Sequence, residues 1–488
     1  MRKVLSRSTW LAGLALAVGA LVIGLFGFPG AAQAASTADF DVVVYSTQTS
    51  GLAAVRELVL GAPQLRVALI SSGNLLESPL AQGLCVEDAR NIDNVKGGFY
   101  DEWRRAVIAD YRSRGISPFN GGGRFVYEPD VAAKALWQFA RGSKSGNTSF
   151  YSAKLVAAND KGDTRYVDIQ LEGGGQVRLN TKYLVDASVE GDLARMLGAS
   201  YRIGSQETVY NDVDGIRPDY PGTANGFATA PQRFSALITL KLYSKSAPRV
   251  SSLVNASYNP SSYASLTPLS QKNVDAFKTG WSMTVAVLPN AKRELNETWT
   301  DWPDVGLSFQ WVFSPEKRGE IRKRVLEWSI NRVRYLQEHG YPKVGIAAVP
   351  QKLYVREGPR IVGLDTYTVD DLRSAAVRDP VALGCYVEYD RHDNFAPNFE
   401  EQTRVARLPL GAVLAQGHPW LLVSTAVSTD DRAYCSAVRM EHMRAAIGGA
   451  AGAIIVAAES QRTSPDQVSY SAVRSELLSR GYRLEPAK

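Results

Sequence analysis

The stretch from Asp39 to Leu58, DFDVVVYSTQTSGLAAVREL, limits the folds open to this chain more than any other. Val42, Val43, Val44 and Tyr45 make a short, largely β-branched run of the kind that forms a buried strand. The polar residues Ser46 to Ser50 turn the chain into Gly51 to Leu58, a segment of good helix formers. A second apolar run, Arg66 to Ile70, follows at the distance a βαβ unit requires. This pattern predicts an α/β fold with parallel strands. In such sheets a dinucleotide pyrophosphate sits at the strand ends, against the amino terminus of the first helix.

The chemistry of the turn departs from that expectation. A dinucleotide turn carries G-x-G-x-x-G, because backbone amides must approach phosphate closely. The corresponding positions here are Ser46, Gln48 and Gly51, and only the last is a glycine. The acid that would hold a ribose hydroxyl after the second strand is replaced by Ser71 and Ser72. The residues alone leave two readings open, a nucleotide site and a structural βαβ unit with a polar turn.

Composition narrows the class. The 488 residues, 45% apolar and 21% charged, can bury a sizeable core. Their length suits one very large domain or about two to three ordinary ones. Residues 1 to 35 have a basic start, an apolar run from Trp10 to Phe28, and Ala32-Gln33-Ala34 before Ala35, the pattern of a signal peptide. Export to the periplasm or the exterior is expected, with an uncleaved membrane anchor as the alternative, since the apolar run could span a bilayer. No twin arginine precedes it, so the chain is expected to cross the membrane unfolded and to acquire any cofactor afterwards. Cleavage removes three of the 55 basic residues and no acid, leaving 52 against 49, a net charge of +3. That balance is no nucleic-acid footprint. Cys85, Cys385 and Cys435 allow at most one disulfide, and neither they nor the four scattered histidines have metal-ligand or Ser-His-Asp spacing.

Further along, Glu128-Pro129-Asp130 opens a helix, and residues 150 to 188 predict a β-meander that returns to a buried parallel strand ending at Asp186. Residues 205 to 350 differ in character. Strand-like Phe234 to Leu242 and Trp281 to Leu288, followed by a helix from Ser314 to Glu338, predict an inserted α+β domain. Its tryptophans and tyrosines suit either a flat ligand such as a sugar or plain packing. The last third predicts short strands and loops, including Leu421 to Val423, then a helix from Arg439 to Ala453. Its glycines and alanines call for close packing, and its charges argue against a membrane helix. A helical tail follows.

Several phrases occur in a telling order: the βαβ unit, Asp186-Ala187-Ser188-Val189-Glu190-Gly191-Asp192, Leu295-Asn296-Glu297-Thr298-Trp299, Val355-Arg356-Glu357-Gly358-Pro359-Arg360-Ile361-Val362-Gly363, and the Arg439 helix. Together they resemble the FAD-dependent oxidoreductase family, flavoproteins of the glutathione-reductase-like type, some of which are called xanthan lyases. The resemblance implies a Rossmann-like FAD/NAD(P)-binding domain, discontinuous over 36–204 and 351–465. A substrate domain is implied at 205–350 and a tail at 466–488. It implies FAD as cofactor and a small-molecule or carbohydrate-like substrate. Ser46, Thr47, Ser50 and Gly51 would face the pyrophosphate, with Ser71 at the adenosine ribose. Gly83 and Leu84 would lie in a loop, from Glu77, passing the isoalloxazine ring. Ala187, Thr425 and Ala426 would lie along the rest of the cofactor, and Arg439 would begin a helix aimed at the flavin.

The departures from the family fall on these contacts. Glycines usual in the family are replaced at Ser46 and Thr47, a Gly-Gly pair at Glu77-Ser78, and Gly-Arg at Thr425-Ala426, while Ser71 replaces an acid. The alternative expectation is therefore a flavin-free relative that uses the old cleft to bind a ligand or partner. Arg356, Glu357 and Arg360 suit either an anionic or sugar substrate or ion pairs on an exposed loop. Cys85 suits either a redox partner of the flavin or a buried thiol.

Overall fold

Strand and helix alternate at the start of the chain as predicted. The computed structural model describes residues 36–73, 75–140, 147–221, 226–250, 258–264, 286–296, 301–392 and 398–487. The expected signal peptide, and residues 281–285 and 297–300 of the sequence patterns above, lie outside them.

The strands in chain order are β1 (Ser36–Asp39), β2 (Val42–Tyr45), β3 (Val67–Ser71), β4 (Thr148–Asn159), β5 (Arg165–Leu171), β6 (Gln176–Thr181), β7 (Tyr183–Asp186) and β8 (Tyr201–Arg202). They continue with β9 (Thr239–Leu242), β10 (Ala286–Leu288), β11 (Lys292–Glu294), β12 (Val344–Ala348), β13 (Arg360–Ile361), β14 (Pro380–Arg391), β15 (Asn398–Pro409) and β16 (Leu421–Val423). The main sheet runs β1-β6-β5-β4-β3-β2-β7-β16. Its centre is parallel, with Val43 level with Ala68 on one side and Leu184 on the other. Strand β4 pairs parallel to β3 through Ser152, then continues antiparallel to β5, so the meander grows out of the Rossmann-like sheet.

Two helices cover one face of this sheet, Thr49–Gly61 and Glu441–Gln461. Their contact explains the small residues. A Cβ on Gly448 would lie 2.0 Å from the Ser50 carbonyl oxygen, and one on Gly452 would lie 2.5 Å from Glu57 Cβ. The Glu441–Gln461 helix is long and apolar enough to cross a membrane, yet most of it is buried in the core. The tail is docked as well: the Tyr482 ring fills the space against Gly98 and Gly449, and its hydroxyl donates to Glu57 Oε1 at 2.9 Å.

A second sheet, β10-β11-β9-β12, lies within residues 239–348. The long helix Arg318–Glu338 packs on it through Ile330, Val333 and Leu336. The strand expected over Phe234 to Leu242 begins only at Thr239, because the backbone of Ser235 pairs with Tyr354 outside the sheet. Trp302, Trp311 and Trp328 are enclosed by aromatic neighbours, which is the packing alternative rather than an open stacking platform.

A helix and a hairpin are among the elements absent from the sequence expectation. Helix Val305–Phe313 is apolar on nearly every face and so has no visible period; the Asp304 side chain caps it by accepting from Gly306 N at 2.7 Å. The β14–β15 hairpin replaces the short strands and loops expected there. Both of its faces are partly covered, which hides the alternation, and Gly384 interrupts it because Met443 leaves no room for a side chain.

Candidate functional site

The ends of β2, β3, β7 and β16 lie side by side on one edge of the sheet, so Ser46, Ser71, Ala187 and Thr425 follow neighbouring strands. Ser46 has φ of +87°, a conformation that favours glycine. The turn there is tight: a Cβ on Gly51 would lie 2.1 Å from the Ser46 carbonyl oxygen and 3.0 Å from Ala187 Cβ. The one glycine retained from the dinucleotide pattern is the one this close approach requires.

The pyrophosphate half of the edge is taken up by the chain itself. Glu77 Oε2 accepts from Ser46 Oγ at 2.6 Å and from the Thr47 amide at 2.9 Å. Lys352 Nζ holds the other oxygen at 3.1 Å and also donates to the Ser72 carbonyl at 2.7 Å. Ser71 Oγ and Thr47 Oγ1 both donate to the Leu75 carbonyl, at 2.7 and 2.9 Å, so the loop after β3 folds back over the expected ribose position. Thr49 Oγ1 meets Ser78 Oγ at 2.7 Å and the Glu441 carboxylate. Burial pushes Glu441 up from its ordinary range, against the pull of Arg444.

The other half is closed in the same manner. Ser50 Oγ meets Thr425 Oγ1 at 2.6 Å, and Thr425 Oγ1 donates to the Ala187 carbonyl at 2.8 Å. Ser424 Oγ reaches Ser50 Oγ at 3.2 Å.

These contacts test the fit of FAD. Thr47, Ser50, Ser71, Ala187, Thr425 and Ala426 each have 0% exposure, and Ser46 has 3%. A side chain with no exposed surface borders no space large enough even for water. The residues present therefore do not fit a dinucleotide: its amide donor is engaged by Glu77 and its channel is crossed by the Ser50–Thr425 contact. The residues expected to face the cofactor are thus packed against one another at the strand ends.

The other expected positions lie elsewhere. Gly83 packs against the approach to the second sheet, where a Cβ would lie 2.2 Å from the Leu237 carbonyl. Leu84 beside it is half-buried. Arg439 precedes the Glu441–Gln461 helix, is 3% exposed, and is bound to Asp390. Arg356, Glu357 and Arg360 are buried, not on an exposed loop. Arg356 pairs with Asp301 at 2.9 Å and Arg360 with Glu357 at 3.2 Å. The side chains of Glu357, Asp431 and Cys435 come together as metal ligands would, but the Arg391 guanidinium sits among them, 2.9 Å from Glu357 Oε2 and against Asp431. All three cysteines are free and buried, and burial pushes the Cys385 thiol up to about 12.

Lys352 and Glu441 are the partners that sequence reasoning missed. Glu77 was expected to approach the flavin, whereas it binds the turn itself. The available signal was the joint appearance of a carboxylate at 77 and hydroxyls at 46, 47, 49 and 50, which together can satisfy one another.

Two buried acids, Asp186 at the end of β7 and Glu294 in the second sheet, give the fold a pH dependence. Burial raises Asp186 to about 7, against the bonds it accepts from Ser188 and Ala194. Burial likewise raises Glu294 to about 8; its Oε1 accepts from Cys85 N at 3.1 Å, and its Oε2 is unpartnered. Both groups keep a proton in the native state at pH values where the unfolded chain has released it. Their contribution is therefore complete in acid and lost as pH rises through about 7 to 8. Chemical denaturation should show wild-type stability falling from mildly acidic to mildly alkaline pH, with a smaller fall in Glu294→Gln. An equal fall in the variant would remove Glu294 from the account.

A family model described as FAD dependent oxidoreductase matches residues 41–477. Among solved structures, a geranylgeranyl bacteriochlorophyll reductase-like protein from Thermoplasma acidophilum is similar over 92% of this chain and 85% of its own, at 12% identity and a TM-score of 0.39. A flavoprotein/dehydrogenase from Cytophaga hutchinsonii is similar over 90% and 83%, at 9% identity and a TM-score of 0.37. An L-proline dehydrogenase from P. horikoshii is matched over 36% of this chain and 27% of that chain, at 15% identity and a TM-score of 0.20, so the match spans about a quarter of its length. No curated protein sequence matches the chain.

Proposed function

The chain belongs to the FAD-dependent oxidoreductase family, and from that premise we propose that it is an exported member that keeps the architecture without the flavin and acts as a ligand-binding module. The observation that carries this reading is the packing of the strand ends. Hydroxyls and a carboxylate of the chain satisfy one another where the cofactor would lie, and none of the six central side chains borders open space. The export proposed with it would agree: a chain that crosses the membrane unfolded must find its cofactor outside.

The old cleft being filled, a small-molecule ligand requires another place. A cavity of about 280 Å³ opens between the loop after β3 and the second sheet. Leu76, Gln82, Trp137, Leu237 and Val349 line it. An apolar wall with a few polar groups suits a small, mostly apolar ligand.

Family membership favours a second reading, an FAD-dependent oxidoreductase acting on a small-molecule or carbohydrate-like substrate. That reading requires Glu77, Ser50 and Thr425 to move apart. Thermal unfolding of the mature protein with and without added FAD separates the two. The flavin-free reading expects an unchanged midpoint, whereas a rise with FAD concentration would establish binding to the native state and overturn it.

A further inference from the structure

We infer that Glu77 is an internal anion standing in for the family's cofactor phosphate, and that the cradle it occupies remains an anion site closed by the chain's own carboxylate. The inference rests on the flavin-free reading and adds which residue closes the site and what chemistry the site still demands. A helix amino terminus and its preceding turn favour negative charge. Three donors from two separate parts of the chain meet the Glu77 carboxylate: Ser46 Oγ at 2.6 Å and the Thr47 amide at 2.9 Å from the turn after β2, and Lys352 Nζ at 3.1 Å. Lys352 belongs to the segment returning from the second sheet, 275 residues away in sequence, so the convergence is a product of the fold. Its side chain is 19% exposed and that of Glu77 11%, so the pair is shielded more than a surface ion pair is.

The loop also closes the site mechanically. Gln82 Oε1 accepts from the amides of Gln351 and Lys352, at 2.8 and 3.2 Å, which fastens the loop after β3 to the segment carrying the lysine. Glu77 N donates to Thr47 Oγ1 at 3.0 Å, so the backbone of the loop and its carboxylate grip the same turn. Truncating Glu77 to alanine removes a carboxylate and a methylene, comparable in bulk to one phosphate and far smaller than a dinucleotide. The vacated cradle would therefore accept a single tetrahedral anion while still excluding FAD.

The test is thermal unfolding of wild type, Glu77→Ala and Glu77→Gln in chloride and in millimolar inorganic phosphate at equal ionic strength. Glu77→Ala is expected to have a lower midpoint than wild type and to regain part of the loss in phosphate, whereas wild type does not respond. Adding Lys352→Ala to Glu77→Ala should abolish the response. Equal responses in wild type and Glu77→Ala, or none in Glu77→Ala, overturn the inference. Should Glu77→Ala fail to fold, Glu77→Gln decides: it keeps the shape and loses the charge, so a midpoint equal to wild type shows that the cradle does not demand an anion. Wild type stabilised by FAD would defeat the flavin-free reading itself. Wild type indifferent to FAD, with variants that ignore phosphate, would defeat the internal-anion inference alone.

Discussion

Replacing Gly448 with alanine is expected to lower the melting midpoint of the chain sharply. The added Cβ would stand 2.0 Å from the Ser50 carbonyl oxygen and 2.6 Å from Ser50 C and Cα. Those are backbone atoms at the start of the Thr49–Gly61 helix, so no side-chain rotation relieves the clash. The helices must separate, which opens the core where Leu52, Val55, Ile447 and Ala451 are buried. Overpacking of this kind costs about 3 kcal/mol or more, a large part of the stability of an ordinary domain. Circular dichroism on heating measures it, with Gly121→Ala as control, since a side chain at Gly121 meets nothing within 4 Å. A Gly448→Ala protein melting with wild type would show that the two helices do not pack as described.

The second large effect is expected at Arg391. Its guanidinium lies at 0% side-chain exposure, 2.9 Å from Glu357 Oε2, against Asp431, and 3.0 Å from the Ala230 carbonyl. Removing one side of a buried pair leaves charge without compensation, a loss of about 3–5 kcal/mol. Arg391→Met should lose about that much, and its deficit should depend on pH. Burial already pushes Glu357 up from its ordinary range, and loss of the arginine pushes it further. The raised acid holds its proton in the native state, so the variant suffers least in acid and increasingly as pH rises. Urea denaturation at several pH values reads both the loss and its slope. A deficit independent of pH would mean that the stranded carboxylates are not its cause.

Much of the architecture could be read from the order of residues. The run Val42 to Tyr45, the turn and the helix behind it specify a βαβ unit locally, and the meander is marked by Gly173-Gly174-Gly175 between alternating strands. What escaped depends on distant partners. The hairpin β14–β15 has no clean alternation because the Glu441–Gln461 helix covers part of it, and Met443 is what makes Gly384 necessary. The buried pairs Arg356–Asp301 and Arg391–Glu357 join residues 55 and 34 apart, and a one-dimensional reading sees only charges that look like a surface.

At the strand ends the sequence showed which contacts had been lost but not what replaced them. Lost glycines at 46 and 47 left a degraded cofactor site and a rebuilt one equally open. The geometry separates them: Ser46 Oγ and the Thr47 amide share one carboxylate oxygen, and Ser50 Oγ meets Thr425 Oγ1 across the second half. A site merely eroded would leave donors unmatched in the core, at a cost of about 1–3 kcal/mol each. Ser46 and Thr47 instead share the Glu77 carboxylate and backbone, and Glu77 itself stands where the family has a glycine, so these three substitutions act as a set.

Equilibrium dialysis of the mature protein against micromolar FAD, with bound flavin counted per chain, tests this account most directly. Packed strand ends predict no retained flavin above that held by a flavin-indifferent control protein. One FAD per chain, held with saturable affinity, would contradict it and return the protein to the flavin-dependent members of its family.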